Sequence, residues 1–290
     1  MLRAFAISTI LIFAAGHAMA ASAPPFEVMK DHIDADVNAD GTFEQASEVA
    51  YRVLDSQGQR ALQQITLSYT SGYQNLSVTE AYTLKADGKR VDVKPSNILY
   101  GRGASSGPGY EDISTVTVVF PDLAVGDEIV LTTILNQKTP WIPGQFATGI
   151  AFDSNIAQHD SRFAVSVPAG YRLYMDMTGM QGGDPVSVGG KTRRSWSYKN
   201  DTANPPEPGA VMNINESPHV FVSSFVDYES VARAASNWFD GKANVTPDIQ
   251  AVADQVTAGI SDQRKQAEAL YDWVSSHIHY EQIVLGAGGF

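Results

Sequence analysis

Apolar residues recur at every second position through most of the first 225 residues. Ile65, Leu67 and Tyr69 alternate with polar neighbours, as do Leu76 and Val78, Tyr82 and Leu84, Val91 and Val93, and Ile129, Leu131 and Thr133. A period of two marks strands that pack one face and leave the other in water. Turn chemistry punctuates the runs. Asp87-Gly88 lies between two of them, and "VGGK" (188–191) precedes "RRSWSY"; both read as hairpins, because Gly accepts the positive φ of tight turns. "VTVVF" (116–120) reads as a continuous apolar run that stops at Pro121, with Thr117 counted for its β-branched methyl, which predicts an inner strand buried on both faces. About ten strands on short turns, with no helical period between them, predict a mainly β fold, an antiparallel β-sandwich over residues 24–226.

After Phe225 the period becomes 3.6. Asp227 can cap a linker helix within 227–245 whose apolar face is Val231, Ala234, Ala235 and Trp238. A second helix starts at Thr246 as N-cap with Pro247 in the first position, carries Ile249, Val252, Ala253 and Val256 on one face, and stops before Gly259. Ser261 is the expected cap of a third, striped by Ala267, Leu270, Tyr271, Val274 and Ile278, with Trp273 beside the stripe. Residues 246–290 therefore open a second, α-rich part.

The first twenty residues stand apart. A positive start at Arg3, the apolar run "AFAISTILIFAAG" and the small residues of "AMA" predict a secretory signal peptide cleaved after Ala20, with Ala23 as the alternative site. The apolar run is short of the ~20 residues a spanning helix needs, which argues against an uncleaved anchor. The chain would then be periplasmic or extracellular, with no membrane association after cleavage. It has no cysteine, so core burial, not disulfides, must hold it together. A formal net charge of −12 repels phosphate backbones and excludes a nucleic-acid partner.

Several motifs suggest chemistry that their contexts deny. "DVNADGTFEQAS" (36–47) places Asp36, Asn38 and Asp40 as in a calcium loop, but the twelfth position, where a bidentate carboxylate belongs, is Ser47; Asp40-Gly41 reads better as a hairpin turn. "GASSG" (103–107) matches a nucleophile elbow, yet Pro108-Gly109 forbids the helix that elbow requires. His277 and His279, two apart, point to different faces, and His32, His159 and His219 are scattered through the β region, so no zinc site is indicated. "NPPEPG" (204–209) is read as a rigid loop rather than an extended recognition segment.

The order of other segments is more specific. "DVNADGTF", "SEVAYRVL" (47–54), "FPDLAVGDEI" (120–129) and "VSSFVDYESVA" (222–232) resemble the β module catalogued as DUF3857. "TPDIQAVADQVTAGISDQRKQAEALYDWVSSHIHY" (246–280) and the following "EQIVLGAGGF" resemble the start of the transglutaminase-like, papain-like thiol domain that follows that module in a family of exported bacterial proteins. The resemblance implies a Cys at a helix start, with His and Asp further on, acting as a thiolate nucleophile on an amide carbonyl. None of those residues lies within 1–290, so the chain is expected to be truncated before the nucleophile and inactive by itself. No residue is assigned a catalytic, cofactor-binding or metal-ligating role, and no cofactor is implied; Trp273 and Leu270 would be supporting core, and Gly286, Gly288 and Gly289 would line the approach to the groove. The expected function is that of the N-terminal part of an exported transglutaminase-like enzyme of amide hydrolysis or acyl transfer. The alternative is a non-catalytic secreted module that binds an envelope protein, peptide or glycan.

Overall fold

The computed structural model describes residues 23–102, 113–204, 217–241 and 244–279. The expected signal peptide, the "GASSG" loop, most of "NPPEPG" and the glycines at 286, 288 and 289 lie outside the described residues. The chain divides into two compact units, with the change at Ser230 and Val231.

Among its described residues the first unit is mainly β, with one short α-helix, a 3-10 turn at Pro95–Asn97 and the first residues of the helix that starts at Tyr228. Its strands are β1 (Phe26–Val37), β2 (Phe43–Val53), β3 (Gln64–Thr70), β4 (Gln74–Leu84), β5 (Arg90–Asp92), β6 (Ile98–Arg102), β7 (Ile113–Val119), β8 (Glu128–Gln137), β9 (Ala147–Ala151), β10 (Gln158–Pro168), β11 (Tyr174–Thr178), β12 (Gln181–Gly182), β13 (Val186–Val188), β14 (Lys191–Asn200) and β15 (His219–Ser223). One large sheet runs β12-β14-β10-β1-β2-β8-β4-β5, with β13 also on β14. Two three-stranded sheets, β3-β7-β6 and β11-β15-β9, complete the unit. Pairing is antiparallel except between β1 and β10, two strands too distant in sequence for any local pattern to announce their partnership.

Register puts one set of side chains from the large sheet on a single face. Ile33 pairs with Ser47, Ala35 with Gln45 and Val37 with Phe43; Val49 pairs with Leu131 and Tyr51 with Ile129. Two cores form on that face. Val53, Ile129 and Leu131 meet Ile65 and Leu67 of β3 and Val116 and Val118 of β7. Ala35, Val37, Phe163, Val165 and Trp196 meet Ile150 of β9 and Val220 and Val222 of β15. Each fully buried aliphatic or aromatic side chain here contributes about 1.5–3 kcal/mol. The opposite face carries ion pairs: Lys30–Glu48 at 2.8 Å, His32–Asp160 at 2.9 Å, Arg52–Glu128 at 2.6 Å and Arg193–Asp34 at 2.5 Å.

The expected hairpins are present. Gly88 (φ +86°) turns β4 into β5, and Gly189 and Gly190 (φ +57° and +79°) turn β13 into β14. Asp40-Gly41 joins β1 to β2; Asp40 accepts from the Thr42 N–H at 2.9 Å and hydroxyl at 2.7 Å, and Gly41 has φ +87° with the Gln145 carbonyl oxygen only 2.4 Å from where a Cβ would stand. Three local expectations need correction. "VTVVF" forms the middle strand of its small sheet but buries one face only: Val116 and Val118 are fully enclosed, whereas Thr117 on the far face shares a hydrogen bond with Thr66 at 2.9 Å. A helix, α1 (Ser56–Leu62), interrupts the strand pattern; the Asp55 side chain accepts from the N–H groups of Gln57 and Gly58, and Leu62 is its buried anchor. The last helix starts one residue late, capped by Asp262 in place of Ser261, with the Lys265 N–H donating to its carboxylate at 2.9 Å.

Three longer helices follow: α2 (Tyr228–Phe239), α3 (Pro247–Val256) and α4 (Gln263–His277). Asp227 accepts from the Ser230 N–H at 2.7 Å, Thr246 caps α3 as its sequence predicts, and Gly259 takes φ +76° beyond it. Val252 and Val256 of α3 and Leu270 and Trp273 of α4 are half-buried, while Tyr271, Val274 and Ile278 stay exposed. Among the described residues no helix is long and apolar enough to cross a membrane.

Candidate functional site

The inward register of the large sheet contains residues that do not belong in a core. On β1 the apolar series Val37, Ala35, Ile33 continues to Asp31, and on β2 the series Phe43, Val49, Tyr51, Val53 is broken by Gln45 and Ser47. Thr133 of β8 lies opposite Ser47. These four side chains form a polar belt across three adjacent strands. They line a cavity of about 70 Å³ whose other walls are Ile33, Val49, Tyr51, Leu76, Leu131 and Leu135 of the large sheet, Leu67 of one small sheet and Ile150 of the other. All three sheets thus contribute to the cavity wall.

The belt is poorly satisfied. Gln45 is only 6% exposed, and its Nε2 donates to Ser47 Oγ at 3.3 Å. Its Oε1 has no partner among the described residues, although an orphaned buried acceptor costs about 1–3 kcal/mol. No hydrogen-bond donor or cation among the described residues meets the Asp31 carboxylate. Asp31 is half-buried, and burial in this largely apolar setting pushes its pKa up to about 6, because the charged form has lost much of its water and gained no partner in return. Burial, and then the Asp31 charge, also raises the Tyr51 phenol well above its ordinary value, so Tyr51 is neutral and able to donate. Its ring is held edge-on by Phe26, with centroids 5.7 Å apart. The arrangement can accept a hydrogen-bonding or cationic group from outside; it contains no nucleophile and base pair.

Other polar clusters are largely engaged by their own neighbours, although the buried Thr148 Oγ1, Trp196 Nε1 and His219 Nε2 also have no hydrogen-bond partner among the described residues. Asp127, 4% exposed in its side chain, accepts from the Ala86 N–H at 3.0 Å and the Ala124 N–H at 2.8 Å and pairs with Lys85. Burial opposes its charge, but Lys85 and those N–H groups win and hold the carboxyl below the usual range, which makes it a clamp on the loop before β8. His159 lies 3.2 Å from Glu27 and 3.0 Å from Asp201, and Glu27 foremost raises its pKa. His32 pairs with Asp160, His219 is buried with Nδ1 2.8 Å from the Ser217 carbonyl oxygen, and His277 stacks on Trp273 at 4.6 Å. The structure therefore does not bring the histidines together, and among the described residues no three metal-ligating side chains converge. Asp36 pairs with Lys191 at the start of β14 and Asp40 is engaged by Thr42 within the hairpin turn, so the protein's own groups occupy both of these carboxylates of the calcium-like loop.

The sequence marks Leu67, Leu76, Leu131 and Thr133 as strand positions and Ser47 as the residue that fails a calcium loop, but nothing in it assigns these or the other lining residues to a site. The available signal was the appearance of Asp31, Gln45, Ser47 and Thr133 at positions in phase with buried aliphatics.

A family model described as "Domain of Unknown Function with solved-structure structure (DUF3857)" matches residues 39–203. No curated protein matches the chain. Among solved structures, the crystal structure of a "putative protease" from Parabacteroides distasonis is similar to this chain with a TM-score of 0.77 at 18% identity, over 92% of this chain and 53% of that one. The chain thus spans about half the length of that protein, and the likeness establishes a shared fold. An M1 zinc metallopeptidase from Deinococcus radiodurans is similar at 11% identity over 68% of this chain and 42% of its own, with a TM-score of 0.38, too low to support an inference. The match at 39–203 takes in more than half of the sequence and most of the strands that build the cavity, and the chain belongs to the DUF3857 family.

Proposed function

We propose that residues 24–226 are the non-catalytic binding module of an exported transglutaminase-like thiol enzyme, and that the Asp31 cavity receives a group of its ligand, an envelope peptide, protein or glycan. The cavity carries the reading. A sheet that could have buried Leu or Val at Asp31, Gln45, Ser47 and Thr133 bears the cost of polar groups there, and a bound ligand group would offset it. The 290 residues contain no cysteine, so these residues supply no thiol, and the chemistry would belong to the domain that the resemblance of residues 246–290 announces. Likeness to a protein called a protease, of which this chain matches about half, is compatible with that division of labour. Export rests on the Arg3, apolar run and "AMA" pattern of the first twenty residues, with cleavage after Ala20.

The test is a thermal-shift screen of the purified chain against envelope-derived peptides, glycopeptides and oligosaccharides, repeated with Ser47→Leu, which fills the cavity. At least one compound class should raise the melting temperature of the parent chain and leave Ser47→Leu unmoved. A screen without any shift, or shifts identical in the two proteins, would overturn the proposal.

A further inference from the structure

We infer that the group received by the cavity is a primary alkylammonium on an aliphatic stem, the chemistry of a lysine side chain. The inference rests on the cavity being a ligand site, as proposed above, and specifies what enters it. Three independent features converge.

The floor offers acceptors. The Asp31 carboxylate has no donor among the described residues, and Gln45 Oε1 is buried and unpartnered, while Ser47 and Thr133 add hydroxyl oxygens. An ammonium brings three donors and a positive charge, which is what an unpaired carboxylate, an orphan amide oxygen and a hydroxyl lack. The walls suit a hydrocarbon stem, because Leu67, Leu131 and Ile150 are among the lining residues. Size is also matched. One water-sized group needs roughly 10–15 Å³ of such space, so about 70 Å³ accommodates about five to seven heavy atoms, enough for the ammonium and four methylenes of lysine. A carboxylate or phosphate would meet Asp31 with like charge. A guanidinium would need a wider floor for its planar fork. The net charge of −12 further enriches cations near the surface.

Among the lining residues only Asp31 and Tyr51 titrate, and burial keeps Tyr51 neutral. The charged neighbours on the same strand, Lys30 and His32, lie on the opposite face, engaged by Glu48 and Asp160. Asp31 alone therefore governs how amine affinity changes with pH. Affinity should fall as Asp31 takes up its proton.

Isothermal titration of the purified chain with Nα-acetyl-lysine amide, n-pentylamine and Nα-acetyl-norleucine amide tests the inference. At pH 8 the two amines should bind at least tenfold more tightly than the norleucine derivative. Tighter binding of the lysine derivative than of pentylamine identifies a peptide as the source, and the reverse identifies a free amine. Asp31→Asn, with its folding verified by melting, should lose at least tenfold in amine affinity, as should the parent chain at pH 4.5. If the norleucine derivative binds as well as the lysine derivative and Asp31→Asn changes neither, the amine assignment falls while the cavity remains a binding site. If none of the three binds, the amine assignment also falls, and the thermal-shift comparison with Ser47→Leu decides the broader reading separately.

Discussion

Replacing Asp31 with Asn removes one ionisable group from the cavity and leaves its shape almost unchanged. In the folded chain burial holds this carboxyl at a pKa of about 6, against 3.8 in an exposed setting. A raised folded pKa means that the folded state binds the proton more tightly than the unfolded chain does. The stabilisation is fully present below pH ~4, and it is lost as pH climbs from there through 6, where the folded protein must ionise Asp31 inside an apolar enclosure. A shift of about two pKa units, at about 1.4 kcal/mol each, sets the loss at about 3 kcal/mol by pH 8. Asn carries no such penalty. The stability difference, Asp31→Asn minus parent, should therefore grow by up to about 3 kcal/mol between pH 4 and pH 8. Urea unfolding followed by tryptophan fluorescence, with the buried Trp196 as reporter, measures it at each pH. Titrations of His159, Asp127 and other groups cancel because they occur in both proteins. A difference that stays constant with pH, or one larger at pH 4 than at pH 8, would refute the claim that Asp31 is an uncompensated carboxylate.

Gly41→Ala should destabilise the β1–β2 hairpin by at least about 2 kcal/mol, since a left-handed backbone and a steric overlap with the Gln145 carbonyl act together; an urea midpoint equal to that of the parent would contradict the turn geometry. Lys85→Met, which leaves Asp127 enclosed without its cation, should cost about 2 kcal/mol at pH 7. Because the folded pKa of Asp127 is depressed, that loss should shrink as pH falls toward 3 and the carboxyl protonates; a loss independent of pH would show that Lys85 acts only through packing. Asp262→Ala should weaken α4 by about 1 kcal/mol and accelerate its amide exchange, whereas Ser261→Ala should change neither; the opposite ranking would restore Ser261 as the cap.

Much of the fold was legible because its signals are local. Asp87-Gly88, Gly189-Gly190 and Asp40-Gly41 each dictate a turn through backbone sterics alone, and Thr246-Pro247 starts a helix through its own hydroxyl and ring. What escaped depends on distant partners. The parallel neighbour of β1 is β10, more than a hundred residues away in sequence. The one-sided burial of Val116 and Val118 follows from which sheet covers them, not from the apolar run itself. Helix α1 is too short to display a period of 3.6, and its strongest cue, Asp55 ahead of Ser56, resembles any turn. The cavity was the least legible feature of all. Asp31, Ser47 and Thr133 become neighbours only through the register of β1 on β2 and β2 on β8, and no strand taken alone shows that its polar residue meets the others.

A ligand group that enters the Asp31 cavity must touch the methyls that line it. Methyl NMR of the chain labelled at Ile and Leu, titrated with the compound that gives the largest melting shift, tests this most directly. Ile33, Leu67, Leu131 and Ile150 should shift together in a saturable manner, while methyls of Leu62 and Leu123, which share a core with Leu67 and Leu131 but do not line the cavity, stay still. Saturable shifts elsewhere on the chain, with those four unmoved, would contradict it.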